Sequence, residues 1–180
     1  MKVGLVRHFA VDYECPHRWQ LMTPEQFVNW VNEYNKAEVI PKKCELNSTV
    51  WDKCYSSDLP RAIKTAQALF DGEIVEAKML REVVIYPPTT KNVKLPLALW
   101  LAMGRIAWIL SHESQMETKK DFEQRLSGIV EEMILKERGN ILLVSHGFLM
   151  IFLRKELVKL GFNGPNFKVP CPGKLYIFEK

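Results

Sequence analysis

The segment Ile141-Leu142-Leu143-Val144 is apolar at every position and stops abruptly at Ser145-His146-Gly147. A run without alternation suits a strand covered on both faces, the condition of parallel sheets packed between helices. The chain opens in the same way: Val3, Leu5 and Val6 lead into Arg7-His8. In open α/β sheets the carboxyl ends of strands are where ligands bind. Arg7 and His8 therefore read as an anion site carrying a candidate nucleophile. Taken alone, Arg7-His8 also suits a strand that simply emerges into water, and His146 alone suits a core histidine bonded to a backbone carbonyl. Two histidines in the same position, with arginines at hand, favour the site.

The intervening chain supplies further elements. Thr23-Pro24-Glu25-Gln26 reads as a helix start, with Thr23 and Gln26 forming a capping box and Pro24 at the first helical position. Phe27, Val28, Trp30, Val31 and Tyr34 continue it as an apolar stripe. Val50 to Ser56 reads as a second strand, followed by Ser57-Asp58-Leu59-Pro60-Arg61 and a helix that Gly72 ends. Asp58 is the expected cap. Arg61 falls in the first turn, where the helix end favours anions, on the same sheet edge as Arg7 and His8 if the two strands are parallel neighbours. Ile74 to Ala77 is a short strand with Leu80-Arg81-Glu82 beyond it. Glu82, alone, is an ordinary surface charge. Leu95 to Ile109 is apolar nearly all round, the mark of a helix that is buried or meets a partner. It is expected to be a helical insert, at about 87–112, that shapes a pocket wall and supplies a homodimer contact. Glu117 to Arg138 reads as one long amphipathic helix, Phe148 to Leu160 as another, and Lys174 to Glu179 as an edge strand.

With 180 residues and 47% hydrophobic content, one domain with a sizeable core is expected over 1–180. The net charge of +4 is too mild and too dispersed for a nucleic-acid footprint. The four cysteines include no C-x-x-C pair and are expected to be reduced thiols of a cytoplasmic protein, with Cys54 a small core residue. Arg7 interrupts the first apolar run, so no secretory signal is expected. Leu95–Leu110 is too short and interrupted to span a bilayer, which takes about 20 apolar residues, so no membrane partner is expected.

Four stretches occur in a telling order: Leu5-Val6-Arg7-His8, Ser57-Asp58-Leu59-Pro60-Arg61-Ala62, Leu80-Arg81-Glu82, and Val144-Ser145-His146-Gly147. Together they resemble the histidine phosphatase superfamily, the phosphoglycerate-mutase-like group of branch 1. Glu113-Ser114 with Glu117, Phe122 and Arg125 resembles a weaker pattern of the same family. The resemblance implies an α/β fold, a three-layer α/β/α sandwich with a mainly parallel, mixed central sheet. It also implies a phosphoric monoester hydrolase acting on a small phosphorylated substrate through a phosphohistidine. His8 would be the nucleophile, Arg7, Arg61 and His146 would hold the phosphoryl oxygens, and Glu82 would be the proton donor.

The chain departs from the family at Phe9, where Gly is usual, and after Glu82, where Pro87-Pro88 and the apolar insert replace the usual pattern. Trp19, Tyr86, Trp100, Arg105 and Trp108 are the expected specificity residues, and Phe9 is expected to touch substrate beside Arg7, Arg61 and His146. No metal or other cofactor is expected, because Arg and His supply the positive charge. Mutase-type phosphoryl transfer, or a non-catalytic phosphate-binding or interaction module, are the alternatives.

Overall fold

The computed structural model describes residues 1–180 except 43, 45 and 47. Its elements, in order, are β1 (Lys2–Arg7), β2 (Ala10–Val11), β3 (Leu21–Met22), α1 (Pro24–Lys36), β4 (Val39–Ile40), β5 (Lys53–Ser56), α2 (Pro60–Leu69), β6 (Ile74–Glu76), β7 (Leu95–Pro96), α3 (Leu97–Ile109), α4 (Lys119–Ile129), β8 (Ile141–Ser145), α5 (Gly147–Lys159) and β9 (Leu175–Glu179). Contacts divide the chain into two compact units. The first comprises Met1–Asp12, Glu38–Glu82 and Arg125–Lys180, and the second Tyr13–Ala37 and Val83–Gln124.

The first unit is an α/β layer structure built on a five-stranded sheet in the order β6-β5-β8-β1-β9. Strands β6, β5, β8 and β1 are mutually parallel, and β9 runs antiparallel to β1 at the edge. As the unbroken apolar run demands, every residue of β8 is buried. Successive side chains of a strand point to opposite faces. On one face Val6, Cys54, Leu142 and Val144 meet Ala62 and Ala66 of α2 in a single buried cluster. Their alternates Leu5 and Leu143 are equally buried on the other. Burial pushes the Cys54 thiol up to about 12, the behaviour of the core residue expected.

Register aligns the ends that matter. Arg7 lies opposite Ser145 across β1 and β8, and Ser56 lies opposite Val144 across β5 and β8. Strands β1 and β5 are thus parallel, but they are not the neighbours that the sequence reading made its condition for a shared edge: β8 runs between them, and the shared edge holds all the same. Each ladder continues one residue past its strand: the His8 N–H donates to the Ser145 carbonyl at 2.9 Å and the Ser57 N–H to the Val144 carbonyl at 3.0 Å.

Some local expectations are corrected. Leu59, not Asp58, is the cap residue of α2, with no side-chain bond, because the Asp58 carboxylate is engaged by Arg81 through two contacts of 2.6 Å. The helix expected over Glu117–Arg138 is shorter and changes its winding: α4 passes into a π-helical stretch at Val130–Leu135.

In the second unit, α1 begins with the expected capping box: Thr23 and Gln26 exchange side-chain and backbone bonds. Trp100 of α3 is fully buried, donates its indole N–H to the Met22 carbonyl at 2.7 Å and packs near Phe27. Trp108 is also buried, edge-on to Phe122. Both tryptophans, expected as specificity residues, are consumed by packing. The same helix exposes Leu99, Leu101, Ile106 and Ile109. Among the described residues no helix is long and apolar enough to cross a membrane.

Candidate active site

The parallel strands deliver their polar residues to one edge of the first unit. His8 follows β1, Ser57 and Arg61 follow β5 through a three-residue turn, and His146 follows β8 as the N-cap of α5. His8, Arg61, Ser57 and His146 are all at most 3% exposed. Burying two imidazoles and a guanidinium together costs free energy that the hydrophobic effect does not return. Such a cluster makes this edge the candidate functional site.

The His8 imidazole is held by its own loop. Its Nδ1 donates to the Phe9 carbonyl at 2.6 Å. With the proton fixed there, Nε2 carries the lone pair. Burial first, then the Arg61 charge and, more weakly, Arg7 lower its pKa from 6.5 to about 3; the Phe9 carbonyl acts the other way. His8 is therefore neutral at physiological pH.

The His146 ring centroid lies 5.1 Å from that of His8. Its Nε2 pairs with Ser57 Oγ at 2.9 Å, and Ser57 Oγ also accepts the Leu59 N–H at 3.3 Å. Burial, then Arg61, His8, Arg7 and Arg125, hold His146 well below 6.5. Its Nδ1 is buried and meets no hydrogen-bond partner among the described residues, and the same is true of Arg7 Nε. Two buried polar atoms left open at one strand edge are an invitation to a ligand with acceptor oxygens.

Arg7 is anchored from behind: its Nη1 donates to the Pro170 carbonyl at 3.0 Å. Glu82 lies beside the same edge, where its carboxylate accepts the Phe148 N–H at 2.9 Å in the first turn of α5. The Asp58–Arg81 pair ties the two loops that carry Ser57 and Glu82, and Arg125 braces the second of them through the Met79 and Arg81 carbonyls at 2.6 and 2.9 Å. Among the described residues no three or more His, Cys, Asp and Glu side chains are grouped to hold a metal ion.

Of the expected residues, Arg7, His8, Arg61 and His146 converge, with Glu82 two residues from His146 through Phe148. Phe9 gives the site its carbonyl rather than its ring. The ring is 1% exposed and lies under Gly173, where an added Cβ would come within 2.7 Å of it. Tyr86, Trp100, Arg105 and Trp108 all belong to the second unit. The sequence reading missed Ser57, Thr65 and Pro170. Thr65 accepts the Phe9 N–H at 2.9 Å and donates to the Arg61 carbonyl at 2.7 Å, coupling both halves of the cluster. Ser57 had a signal, a hydroxyl directly after a strand as at Ser145-His146; a backbone carbonyl has none.

Residues 44–179 match the sequence pattern of the histidine phosphatase superfamily, branch 1. The protein belongs to that superfamily. Solved structures that share its fold include Bacillus stearothermophilus YhfR, with TM-score 0.57, 19% identity and coverage of 98% of this chain and 89% of that one. A mycobacterial glucosyl-3-phosphoglycerate phosphatase matches with TM-score 0.54, 22% identity and coverage of 88% and 79%. The alpha-ribazole phosphatase of Shigella flexneri matches with TM-score 0.53, 20% identity and coverage of 88% and 80%. At such identities the likeness is one of fold. No curated protein matches the sequence.

Proposed function

We propose that the protein is a phosphatase that hydrolyses a small phosphomonoester through a phosphohistidine on His8. The observation that carries this reading is the 2.6 Å bond from His8 Nδ1 to the Phe9 carbonyl, which leaves Nε2 unprotonated and aimed away from its own backbone. Membership of the superfamily and the phosphatases among the fold neighbours support it.

In the first step Nε2 attacks phosphorus in line, an N–P bond forms and the P–O bond to the alcohol breaks. Glu82, as the acid, gives its proton to the departing alkoxide. In the second step water attacks phosphorus, Glu82 takes its proton, the N–P bond breaks and inorganic phosphate leaves with His8 neutral again. Charge on the phosphoryl oxygens is met by Arg7 and Arg61, whose fixed forks suit oxyanions, and by His146 Nδ1. Burial and then the arginine charges hold His146 neutral; a bound dianion offsets those charges, so substrate binding favours its protonation and adds a third cationic donor.

The test is to quench the reaction of a 32P-labelled aryl phosphate under alkaline conditions and look for label on protein. Acid-labile, alkali-stable label that is absent from His8→Asn supports the reading, with phosphate release to water as the final product. Turnover by His8→Asn near the wild-type rate, or label on another residue, overturns it.

A further inference from the structure

The second unit holds an open groove of its own. Pro24 and Val28 of α1 face Tyr86 and Pro87 across a volume of about 460 Å³, with Glu25, Asn29 and Thr90 at the rim. A polar recess of about 430 Å³ continues from it, sharing Pro24, Glu25 and Thr90 and adding Asn92. Each is of the size that receives a small organic molecule.

The walls are fixed. Gln115, 7% exposed, grips the Tyr86 backbone at both ends: its Oε1 accepts the N–H at 3.1 Å and its Nε2 donates to the carbonyl at 2.8 Å. Gly104 brings α3 close behind the same segment, since a Cβ there would stand 3.2 Å from Ile85 and 3.3 Å from the Tyr86 carbonyl. The start of α1 is locked by the Thr23–Gln26 box.

The rim, by contrast, is uncommitted. The side chains of Glu25, Asn29, Thr90 and Asn92 form no hydrogen bond or ion pair among the described residues. Among the described residues no Lys or Arg lines either recess, and Glu25 is the one charged group in both. Pro24 has no N–H and the Gln26 N–H is taken by Thr23, so the helix start adds little call for an anion. A rigid apolar floor with free amide, hydroxyl and carboxylate groups around it is the build of a recognition site, and its charge is opposite to that of the arginine cluster.

We propose that this groove binds a small organic molecule with an apolar ring or aliphatic body, polar substituents and a neutral or cationic charge, and that it discriminates against anions. The proposal stands whether or not His8 is a nucleophile. It is tested with two probes of matched shape and opposite charge, tyramine and 4-hydroxyphenylacetate, titrated into isotopically labelled protein and followed by NMR at Val28, Tyr86 and Thr90. Tyramine is expected to shift these resonances saturably, and the anion to bind at least about tenfold more weakly, the scale of replacing an attraction by a repulsion at the exposed Glu25 carboxylate. Glu25→Gln should bring the two probes together, and Val28→Trp, which fills the floor, should abolish both while leaving the His8 and His146 ring signals unchanged. Absence of saturable shifts for both probes, equal affinities in the unaltered protein, or undiminished binding in Val28→Trp overturns the proposal.

Discussion

His8 and His146 lie ring beside ring, their centroids 5.1 Å apart and their planes tilted by 55°, each kept uncharged chiefly by burial and then by Arg61. Because both folded values are depressed, the unfolded chain takes up protons that the folded one refuses. The stabilisation is complete above about pH 6.5 and is lost as pH falls from there towards about 3, the folded value of His8. Each histidine then contributes a slope of up to about 1.4 kcal/mol per pH unit. Denaturant unfolding between pH 7 and 5 should show stability falling with acidity, and a His8→Asn, His146→Asn double variant should flatten that fall.

Arg7→Ala and Arg61→Ala should each lower kcat by about a hundred- to a thousandfold, roughly 3 kcal/mol, the scale for removing one preorganised donor from a developing oxyanion. Arg61→Ala should also raise the pKa of His8, since Arg61 is the largest charge acting on it. Steady-state kinetics with an aryl phosphate and an NMR titration of the His8 ring check the two halves.

Ser57→Ala removes the hydroxyl that meets His146 Nε2 at 2.9 Å. The ring then has a buried nitrogen without its partner, a cost of about 1–3 kcal/mol. Turnover should fall by about ten- to a hundredfold on that scale. A rate within a factor of two of the unaltered protein would show that Ser57 does not orient the ring.

Gly173→Ala should destabilise the protein by about 2 kcal/mol or more. The residue has φ +65°, which costs a side chain about 1 kcal/mol, and its Cβ would press within 2.7 Å of Phe9. Adding Phe9→Leu should return the packing part only, measurable as a shift in the unfolding midpoint.

On the proposed mechanism, dialysis against EDTA should leave the rate unchanged, because Arg7, Arg61 and a His146 protonated on substrate binding would supply the positive charge. A strict requirement for added Mg²⁺ would contradict this.

Much of the fold and of the site is legible in the residues themselves. The unbroken run Ile141–Val144 needs cover on both faces, and β8 lies at the centre of the sheet because of it. The paired histidines at strand ends, and Arg61 in the first turn after β5, follow from the direction of parallel strands. What could not be read depends on geometry that side-chain identity does not encode. Asp58 is a good cap by type, yet Arg81 claims it. Phe9 looks like a pocket residue, yet its ring is folded under a left-handed glycine and only its carbonyl serves the site. Trp100 and Trp108 look like recognition groups, yet an apolar unit of this size uses its largest side chains to fill itself.

The Arg7 guanidinium leans on the Pro170 carbonyl, the Arg7 carbonyl receives the Gly173 N–H, and β9 then pairs with β1 from Lys2 to Val6. Residues made first are thus completed by residues made more than 160 positions later. On the ribosome, a nascent chain long enough to pair β1, β5 and β8 would still lack the Pro170 carbonyl that anchors the Arg7 guanidinium and the strand that closes this edge of the sheet.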